Sequence, residues 1–368
     1  MYSDYSEKLA SLVVNYAVRV ESEDTVIIQG PNNAQELVRE IYREVLQVGG
    51  HVIQTRLSFD GQLETFYKYA SDGQLEYVDT TAIDIIKKVK KLINIYSSFN
   101  TRALTNVLPE KKALVAEARK EINQIFMERS AKKDLDWVIA PFPNNSFAQE
   151  ANMGRFEYLE FVYNALHLQE DPVRFWKNVE VKQEKIIEIL NKGSEFRIIG
   201  EDTDLFLGIE GRKWINASGH RNLPDGEVFT GPDESSTNGS IRFTYPGIYQ
   251  GQEIENIKLT FKDGKITDHD AAKGKKLLGK LLTTTNAEIL GELAVGTNYG
   301  IQRFTKNMLF DEKMGGTVHL AIGSGYPETG SKNQSAIHWD ILKDMKGPKA
   351  KILLDGDVIY QQGKWMIP

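Results

Sequence analysis

The chain has 368 residues, which is enough for two domains with hydrophobic cores of their own. Its 45 basic and 51 acidic side chains give a formal charge of -6 and a pI near 5.7, which argues against a nucleic-acid-binding surface. There is no cysteine, so disulfides and thiolate ligands are excluded, and any metal must be bound by nitrogen and oxygen atoms. A polar start and the lack of any run of about 20 apolar residues predict a cytoplasmic protein without a membrane segment.

Alternating helices and strands are predicted for the first half of the chain. A helical stripe at 6–18 precedes a strand at 25–29, a helix at 37–46 and a second strand at 51–57. Strand, helix and strand within about 35 residues are typical of a parallel βαβ unit. The turn after the first strand, Gly-Pro-Asn-Asn at 30–33, lacks the glycine pattern of nucleotide-binding loops, which argues against a nucleotide site.

Further helices and two more strands complete the predicted first half. His167, on one of the helical runs, is interpreted as a packed or exposed histidine and not as a ligand. The predicted strands are 92–96 and 136–140, and the predicted helices are two short ones within 63–86, then 109–129, 147–167 and 173–190.

After residue 192 the pattern changes to short runs that alternate apolar and polar residues. Such runs predict β-strands, and Asp-Gly pairs at 263–264 and 355–356 are typical of hairpin turns. We therefore predict two domains: an α/β N-terminal domain with a parallel sheet at 1–192, and a β-rich α+β catalytic domain at 193–368. The predicted strands are 196–199, 204–208, 213–215, 228–229, 241–243 and 257–262.

Side chains that suit a metal ion are concentrated near the end of the chain. His338 and Asp340 are two residues apart on a predicted strand, so both face one side, with Trp339 on the other. His319 and Tyr326 flank a Gly-Ser-Gly turn, which can fold a strand end back toward one cavity. These four side chains are candidate metal-site residues.

Two carboxylates earlier in the second half extend this set. Glu227 starts a predicted strand, and Glu292 lies in an apolar run, where an unpaired carboxylate costs several kcal/mol. A single zinc ion usually takes three protein ligands, so six donors suit two ions that share a bridging carboxylate. Glu288 stays open as an alternative functional acid, because spacing alone does not choose between it and Glu292.

These motifs resemble those of the thermophilic aminopeptidase T family of metallopeptidases. The resemblance rests on Asn-Leu-Pro-Asp-Gly-Glu-Val-Phe-Thr at 222–230, Leu-Gly-Glu at 290–292, the His319 and Tyr326 pair, and His-Trp-Asp at 338–340. Segments at 137–143 and 202–205 are also similar, so the resemblance covers nearly the whole chain. Gly231 stands where this pattern has alanine.

The resemblance implies a dinuclear aminopeptidase with two divalent ions, zinc or cobalt, a two-domain subunit and a homodimer. It assigns catalytic roles to Glu292 and Tyr326. The metal-site residues that it implies are Glu227, Glu292, His319, Tyr326, His338 and Asp340.

The predicted reaction is hydrolysis of the N-terminal peptide bond of peptides through a metal-activated water. Tyr326 is expected to donate a hydrogen bond to the oxyanion of the tetrahedral intermediate. Asp233 and Glu234 are candidates for binding the substrate ammonium, and His220 is a candidate for supporting a ligand. Two alternatives stay open: a dinuclear phosphoesterase, for which Arg221 is the nearby candidate phosphate ligand, and a non-catalytic metal-binding protein.

Overall fold

The computed structural model describes residues 2–249 and 251–366. The chain divides into two compact units, one of Met1–Trp176 with Gly219–Pro224 and one of Lys177–Ser218 with Asp225–Pro368. The single domain boundary between residues 192 and 193 stays a prediction. Among the helices of the described residues, none combines the length and the apolar composition needed to cross a bilayer.

A four-stranded parallel sheet lies at the centre of the first unit, as the sequence predicts. On one of its inner strands, Val26, Ile27 and Ile28 are all buried, so both faces of the sheet are covered. Its strands are β1 (Thr25–Pro31), β2 (His51–Ser58), β3 (Lys91–Tyr96) and β4 (Asp136–Pro141), in the spatial order β2-β1-β3-β4.

The helices of the first half are more divided than the sequence predicts. The single helix predicted at 147–167 is wrong: Asn152 adopts a left-handed φ of 53°, which ends one helix before the next begins after Gly154. The predicted helix at 109–129 is likewise two helices, and 62–86 holds three rather than two. The helices are α1 (Tyr2–Leu12), α2 (Gln35–Gln47), α3 (Gln62–Tyr69), α4 (Asp72–Leu75), α5 (Thr80–Ile86), α6 (Pro109–Ala118), α7 (Lys120–Ala131), α8 (Asn145–Glu150), α9 (Arg155–Ala165) and α10 (Pro172–Leu190).

Antiparallel sheets dominate the second unit, as predicted for the second half of the chain. One has eight strands in the order β13-β12-β9-β6-β5-β17-β18-β19, one has five in the order β16-β15-β14-β8-β7, and β10 pairs with β11. These strands are β5 (Glu195–Gly200), β6 (Thr203–Gly208), β7 (Ile215–Ala217), β8 (Glu227–Thr230), β9 (Asn238–Arg242), β10 (Gly247–Tyr249), β11 (Gln252–Ile254), β12 (Lys258–Lys262), β13 (Lys265–Asp270), β14 (Leu290–Gly296), β15 (Thr317–Gly323), β16 (His338–Asp344), β17 (Lys351–Leu354), β18 (Asp357–Gln361) and β19 (Lys364–Trp365), with helices α11 (Lys275–Leu281) and α12 (Met308–Asp311).

The two predicted hairpin turns are confirmed. Asp263 and Gly264 join β12 to β13 with φ values of 49° and 83°, and Asp355 and Gly356 join β17 to β18 with values of 49° and 93°. Two consecutive left-handed residues are what a tight hairpin requires, and Asp-Gly adopts them at low cost.

One hydrophobic cluster of the second unit takes side chains from both large sheets. Phe196 and Leu205 come from the eight-stranded sheet, and Val318 and Trp339 come from the five-stranded sheet. The five-stranded sheet therefore has one face committed to the core, and its chemistry depends on what the opposite face carries.

Candidate metal centre

Alternation along the strands of the five-stranded sheet separates core residues from polar residues. Glu227, Glu292, His319, His338 and Asp340 lie on four of its strands, in phase opposite to the core residues. The predicted facing of Trp339, away from His338 and Asp340, is confirmed. The core-facing residues are Val228, Leu290, Leu293, Val295, Val318, Leu320, Ile322, Trp339 and Ile341, and a register shift between Leu290 and Glu292 lets these two face opposite sides.

Small residues separate the polar side chains along the sheet. In the register, Ala321 of β15 pairs with Glu292 on one side and with Asp340 on the other. Ala294 of β14 pairs with His319 and with Phe229 in the same way. Because the methyl groups of Ala321 and Ala294 are small, the longer side chains of the neighbouring strands can approach one another over the polar face of the sheet.

Glu292 lies between the two histidines. Its Oε1 is 3.4 Å from Nε2 of His319, and its Oε2 is 3.3 Å from Nε2 of His338. The Oδ1 atom of Asp340 is 3.5 Å from Nε2 of His338 and 3.9 Å from Nε2 of His319. The structure thus brings together these four side chains, which the sequence analysis selected from separate motifs.

Glu227 reaches the same centre from β8. Its Oε2 lies 3.5 Å from Nε2 of His319, and its side chain is 4% exposed. Its pKa is raised to about 8, because burial outweighs the opposing effect of Lys313 and His319.

The tautomer of His338 is set by a backbone contact. Its Nδ1 donates a hydrogen bond of 2.7 Å to the carbonyl oxygen of Ser324, so Nε2, which faces the carboxylates, is the ring nitrogen placed to bind a metal ion. That carbonyl belongs to the Gly-Ser-Gly turn after β15, so the turn supports the centre.

Tyr326 lies beside the centre and is 43% exposed. Its ring centroid is 5.1 Å from that of His338 and 5.5 Å from that of Phe229. Burial raises the pKa of Tyr326, and the carboxylates of Glu292 and Asp340 raise it further, so its phenol stays protonated.

Glu312 is a candidate ligand that the sequence analysis missed. It directly follows α12, and it forms one of three donor groups in which the ligand atoms lie within 4.8 Å of one another. The charged run Asp311-Glu312-Lys313, between Phe310 and Met314, was a signal of the same kind as Glu292 in its apolar run. The three groups are Glu227, Glu292 and His319; Glu292, His338 and Asp340; and Glu312, His319 and Asp340.

These donors fit a divalent cation. In the described part of the chain, Oε2 of Glu227 and Oδ1 of Asp340 are buried without a hydrogen-bond partner. Such atoms are costly to bury unless a cation neutralises them. Nitrogen and carboxylate donors also match the preference of zinc and similar metals.

The carboxylates of the centre also shift the pKa values of His319 and His338. Burial lowers the pKa of both, but hydrogen bonds and charge from the carboxylates outweigh it, so the pKa of His319 rises to about 9 and that of His338 to about 11. For Glu292, burial raises the pKa, and the two histidines outweigh it and lower the pKa to about 2. The centre therefore takes up positive charge, which is what a metal ion supplies.

A buried lysine already supplies part of that charge. Lys313 is 3% exposed, and its Nζ lies 2.8 Å from Oε1 of Glu312 and 3.8 Å from Oδ1 of Asp225. It also contacts Oε1 of Glu227. Burial lowers the pKa of Lys313, but the carboxylates of Glu227, Glu312 and Asp225 outweigh burial and hold it well above the usual lysine value.

Close packing explains the glycine at position 231. A Cβ atom there would lie 2.7 Å from Cβ of Ser331 and 2.8 Å from Oγ1 of Thr329. Both distances are too short for a contact between non-bonded atoms. Glycine fits at position 231 because the loop around Thr329 and Ser331 approaches the end of β8 closely.

The acidic residues considered for the substrate ammonium have another partner. Arg212 places its Nη2 atom 3.3 Å from Oδ2 of Asp233 and 2.6 Å from Oε2 of Glu234. Glu288, the alternative acid, lies 3.4 Å from Nζ of Lys265 and belongs to none of the three donor groups found in the described chain.

His220 and Arg221 both belong to the first unit. The Nε2 atom of His220 is 3.0 Å from Nη2 of Arg19, and its ring lies 4.6 Å from that of Tyr16. The Nη1 atom of Arg221 lies 3.6 Å from Oδ1 of Asp136. Neither side chain takes part in the three donor groups, which lie in the second unit.

A buried cluster of imidazole and carboxylate donors on an antiparallel sheet is typical of metal-dependent hydrolases. The sequence profile of one such class, the thermophilic metalloproteases of family M29, matches residues 3–365. The chain belongs to this family, and it is a metal-dependent enzyme that hydrolyses peptide bonds.

Individual relatives agree with this assignment. Aminopeptidase PepS of Streptococcus thermophilus is 29% identical over 362 residues, which cover 88% of this chain and 85% of the relative. Aminopeptidase 2 of Geobacillus stearothermophilus is 24% identical over 412 residues, covering 98% of this chain and 97% of the relative. The fold is similar to that of wild-type AmpT from Thermus thermophilus, with a TM-score of 0.85, 22% identity and complete coverage of both chains.

Proposed function

We propose that the chain is an aminopeptidase that removes the N-terminal residue of peptides at a centre for two divalent metal ions. The observation that carries this proposal is the overlap of the three donor groups: Glu292, His319 and Asp340 each belong to two of them. Donors shared in this way suit two neighbouring cations better than one, because a single ion does not use so many ligands.

The proposed ligands are five of the metal-site residues that the sequence predicts, together with Glu312, whereas Tyr326 is placed beside the ions and not among their ligands. Bound divalent ions would supply a water of lowered pKa and polarise the scissile carbonyl. The proposed ligand set is Glu227, Glu292, Glu312, His319, His338 and Asp340, with Tyr326 adjacent to it.

Glu292 is the proposed proton acceptor. Glu292 is 4% exposed, and its carboxylate is held from both sides by His319 and His338, so its position is fixed before substrate binds. A fixed carboxylate of this kind can bridge the two ions or, through an oxygen that no ion holds, take the proton of the attacking water and pass it to the leaving amine.

Tyr326 is the proposed donor to the oxyanion. Its raised pKa keeps the hydroxyl protonated, and its partial exposure leaves it accessible to a substrate. Contacts with Phe229 and His338 hold its ring in place, which preorganises the hydrogen bond that the oxyanion would receive.

Location in the cytoplasm is proposed because the sequence has no run of about 20 apolar residues. Three further properties are proposed from the family resemblance. They are the use of zinc or cobalt, assembly as a homodimer, and peptides with a free N-terminus as substrates. The printed names of the relatives, which call them aminopeptidases, support the last of these.

A paired-substrate assay tests the proposal. Short peptides that begin with Leu, Phe or Arg are compared with their N-acetylated forms, before and after chelation and after addition of Zn²⁺ or Co²⁺. We expect release of the first residue from the free peptides only, loss of activity on chelation, and about two ions per subunit by elemental analysis. Equal cleavage of the acetylated peptides, or faster hydrolysis of a chromogenic phosphoester, would contradict it.

A further inference from the structure

Lys313 places a fixed positive charge inside the proposed metal centre. It follows Glu312 immediately after α12, and at 3% exposure its charge is almost entirely removed from bulk solvent. Its ammonium group contacts three carboxylates, those of Glu227, Glu312 and Asp225. A buried ammonium held by several carboxylates acts as a permanent counter-ion for them.

The ammonium group of Lys313 contacts a carboxylate in two of the three donor groups and none in the third. Glu227 belongs to one group and Glu312 to another, and Lys313 contacts both. The third group, Glu292 with His338 and Asp340, contains neither of these carboxylates. A metal ion bound through Glu227 or Glu312 must therefore share its ligand with an ammonium group, whereas an ion bound by the third group does not.

We propose that Lys313 is a positioning residue that makes the two metal positions unequal. Its charge weakens the ion held on the Glu227 and Glu312 side relative to the ion held by Glu292, His338 and Asp340. It also keeps Glu227, Glu312 and Asp225 assembled when metal is absent, because like charges so close together repel one another unless a cation lies among them. This inference rests on the proposed function, since it requires a centre for two ions.

The chain contains a matched control in Lys343. This lysine is also buried, at 2% exposure, and its Nζ donates hydrogen bonds to the carbonyl oxygens of Glu201 and Arg242. It lies on β16 in the phase opposite to His338 and Asp340, so it does not face the donor groups. Lys343→Met removes a buried charge of the same kind without removing a counter-ion from the centre.

Zinc affinity provides the test. Zn²⁺ alone is titrated into chelator-treated wild type, Lys313→Met, Lys313→Arg and Lys343→Met in competition with a fluorescent chelator, and two dissociation constants are fitted. In Lys313→Met we expect the weaker constant to tighten by roughly ten- to a hundredfold, as removal of a unit charge beside a cation implies, with little change in the tighter one. Lys313→Arg and Lys343→Met are expected to keep both wild-type constants.

Unfolding in the presence of chelator is the second readout. Without its counter-ion, metal-free Lys313→Met is expected to be less stable than wild type and to recover on addition of Zn²⁺ by a larger margin than wild type does. If Lys313→Met does not fold without metal, Lys313→Arg still tests the inference, because it keeps the charge.

Three results would overturn the inference. They are equal zinc constants in the wild type, an unchanged weaker constant in Lys313→Met, or a tightened weaker constant in Lys313→Arg. A wild type that binds no zinc would instead overturn the proposed function, so the two failures are distinguishable.

Discussion

Glu292 and His338 meet across a strand that separates them: Oε2 of Glu292 is 3.3 Å from Nε2 of His338, although β15 lies between β14 and β16. The residue of β15 in register between Glu292 and Asp340 is Ala321. A methyl group there leaves the space through which the side chains of the outer strands approach one another. The proposed centre therefore depends on a small residue as much as on its ligands.

Ala321→Leu is expected to abolish zinc binding while the protein still folds. The larger side chain would occupy the space between Glu292 and Asp340, and overpacking of a buried site typically costs about 1–3 kcal/mol. Zinc content and the free energy of unfolding in chelator are the measurements. Ala287→Leu, at a buried position in the core cluster, is the control: it should cost similar stability and keep the zinc. Zinc retained in full by Ala321→Leu would refute this role.

Glu292→Gln is expected to lose bound metal and to reduce turnover by about a thousandfold, because the substitution keeps the shape and removes both the charge and the proton acceptor. Glu288→Gln is the matched control, since Glu288 pairs with Lys265 instead. It should keep its metal and nearly all of its activity. The reverse result, with Glu288→Gln inactive and Glu292→Gln active, would transfer the role to Glu288.

Parts of this centre were predictable from local spacing. The period of two along a strand is enough to place His338 with Asp340 and to turn Trp339 away, and the structure has that arrangement. Asp-Gly pairs predicted both hairpins for a similarly local reason. The run at 25–29 predicted a strand, and its spacing from the next helix and strand predicted parallel pairing with the strand at 51–57, which the structure has.

The remaining features depend on contacts distant in sequence. The choice between Glu288 and Glu292 as the functional acid stayed open because every residue of β14, which carries Glu292, is buried. The alternation that identifies a strand and its faces is therefore absent there. Glu312 joins His319 and Asp340 only after β15 and β16 have paired, and a four-residue helix carries no periodic signal of its own.

Tyr326→Phe is expected to reduce kcat by about a hundredfold or more with full metal content, as loss of one preorganised oxyanion donor does in other hydrolases. The phenyl ring keeps the contacts with Phe229 and His338, so the centre should stay intact. Turnover and zinc content are measured on the same preparation. Full turnover with both metals bound would exclude the proposed role of the hydroxyl.

Removal of metal is expected to lower the stability of the wild type as well as its activity. A ligand present at a hundred times its dissociation constant adds about 2.7 kcal/mol of stability per site, and a chelator removes that contribution. Thermal unfolding with chelator, with Zn²⁺ and with Co²⁺ is the measurement. If chelation abolished activity without any shift in the unfolding temperature, the metals would not be bound to the folded chain as proposed.

Lys343 is expected to give the unfolding free energy a distinct pH dependence. Burial lowers the pKa of this lysine to about 8, whereas in the unfolded chain it is about 10.4. Between these two values the unfolded chain binds a proton that the folded chain does not, so the stability contributed by this group rises with pH. Below pH 8 both states are protonated and the cost of burying the charge is constant.

Lys343→Met removes this dependence. Relative to the variant, the wild type should therefore gain about 1–3 kcal/mol of stability between pH 7.5 and pH 10. Urea unfolding of both proteins in chelator measures the difference, and other groups that titrate in this range cancel because both proteins contain them. A difference that stays constant with pH would mean that Lys343 keeps an ordinary pKa, in which case its ammonium group must be hydrated in the folded protein.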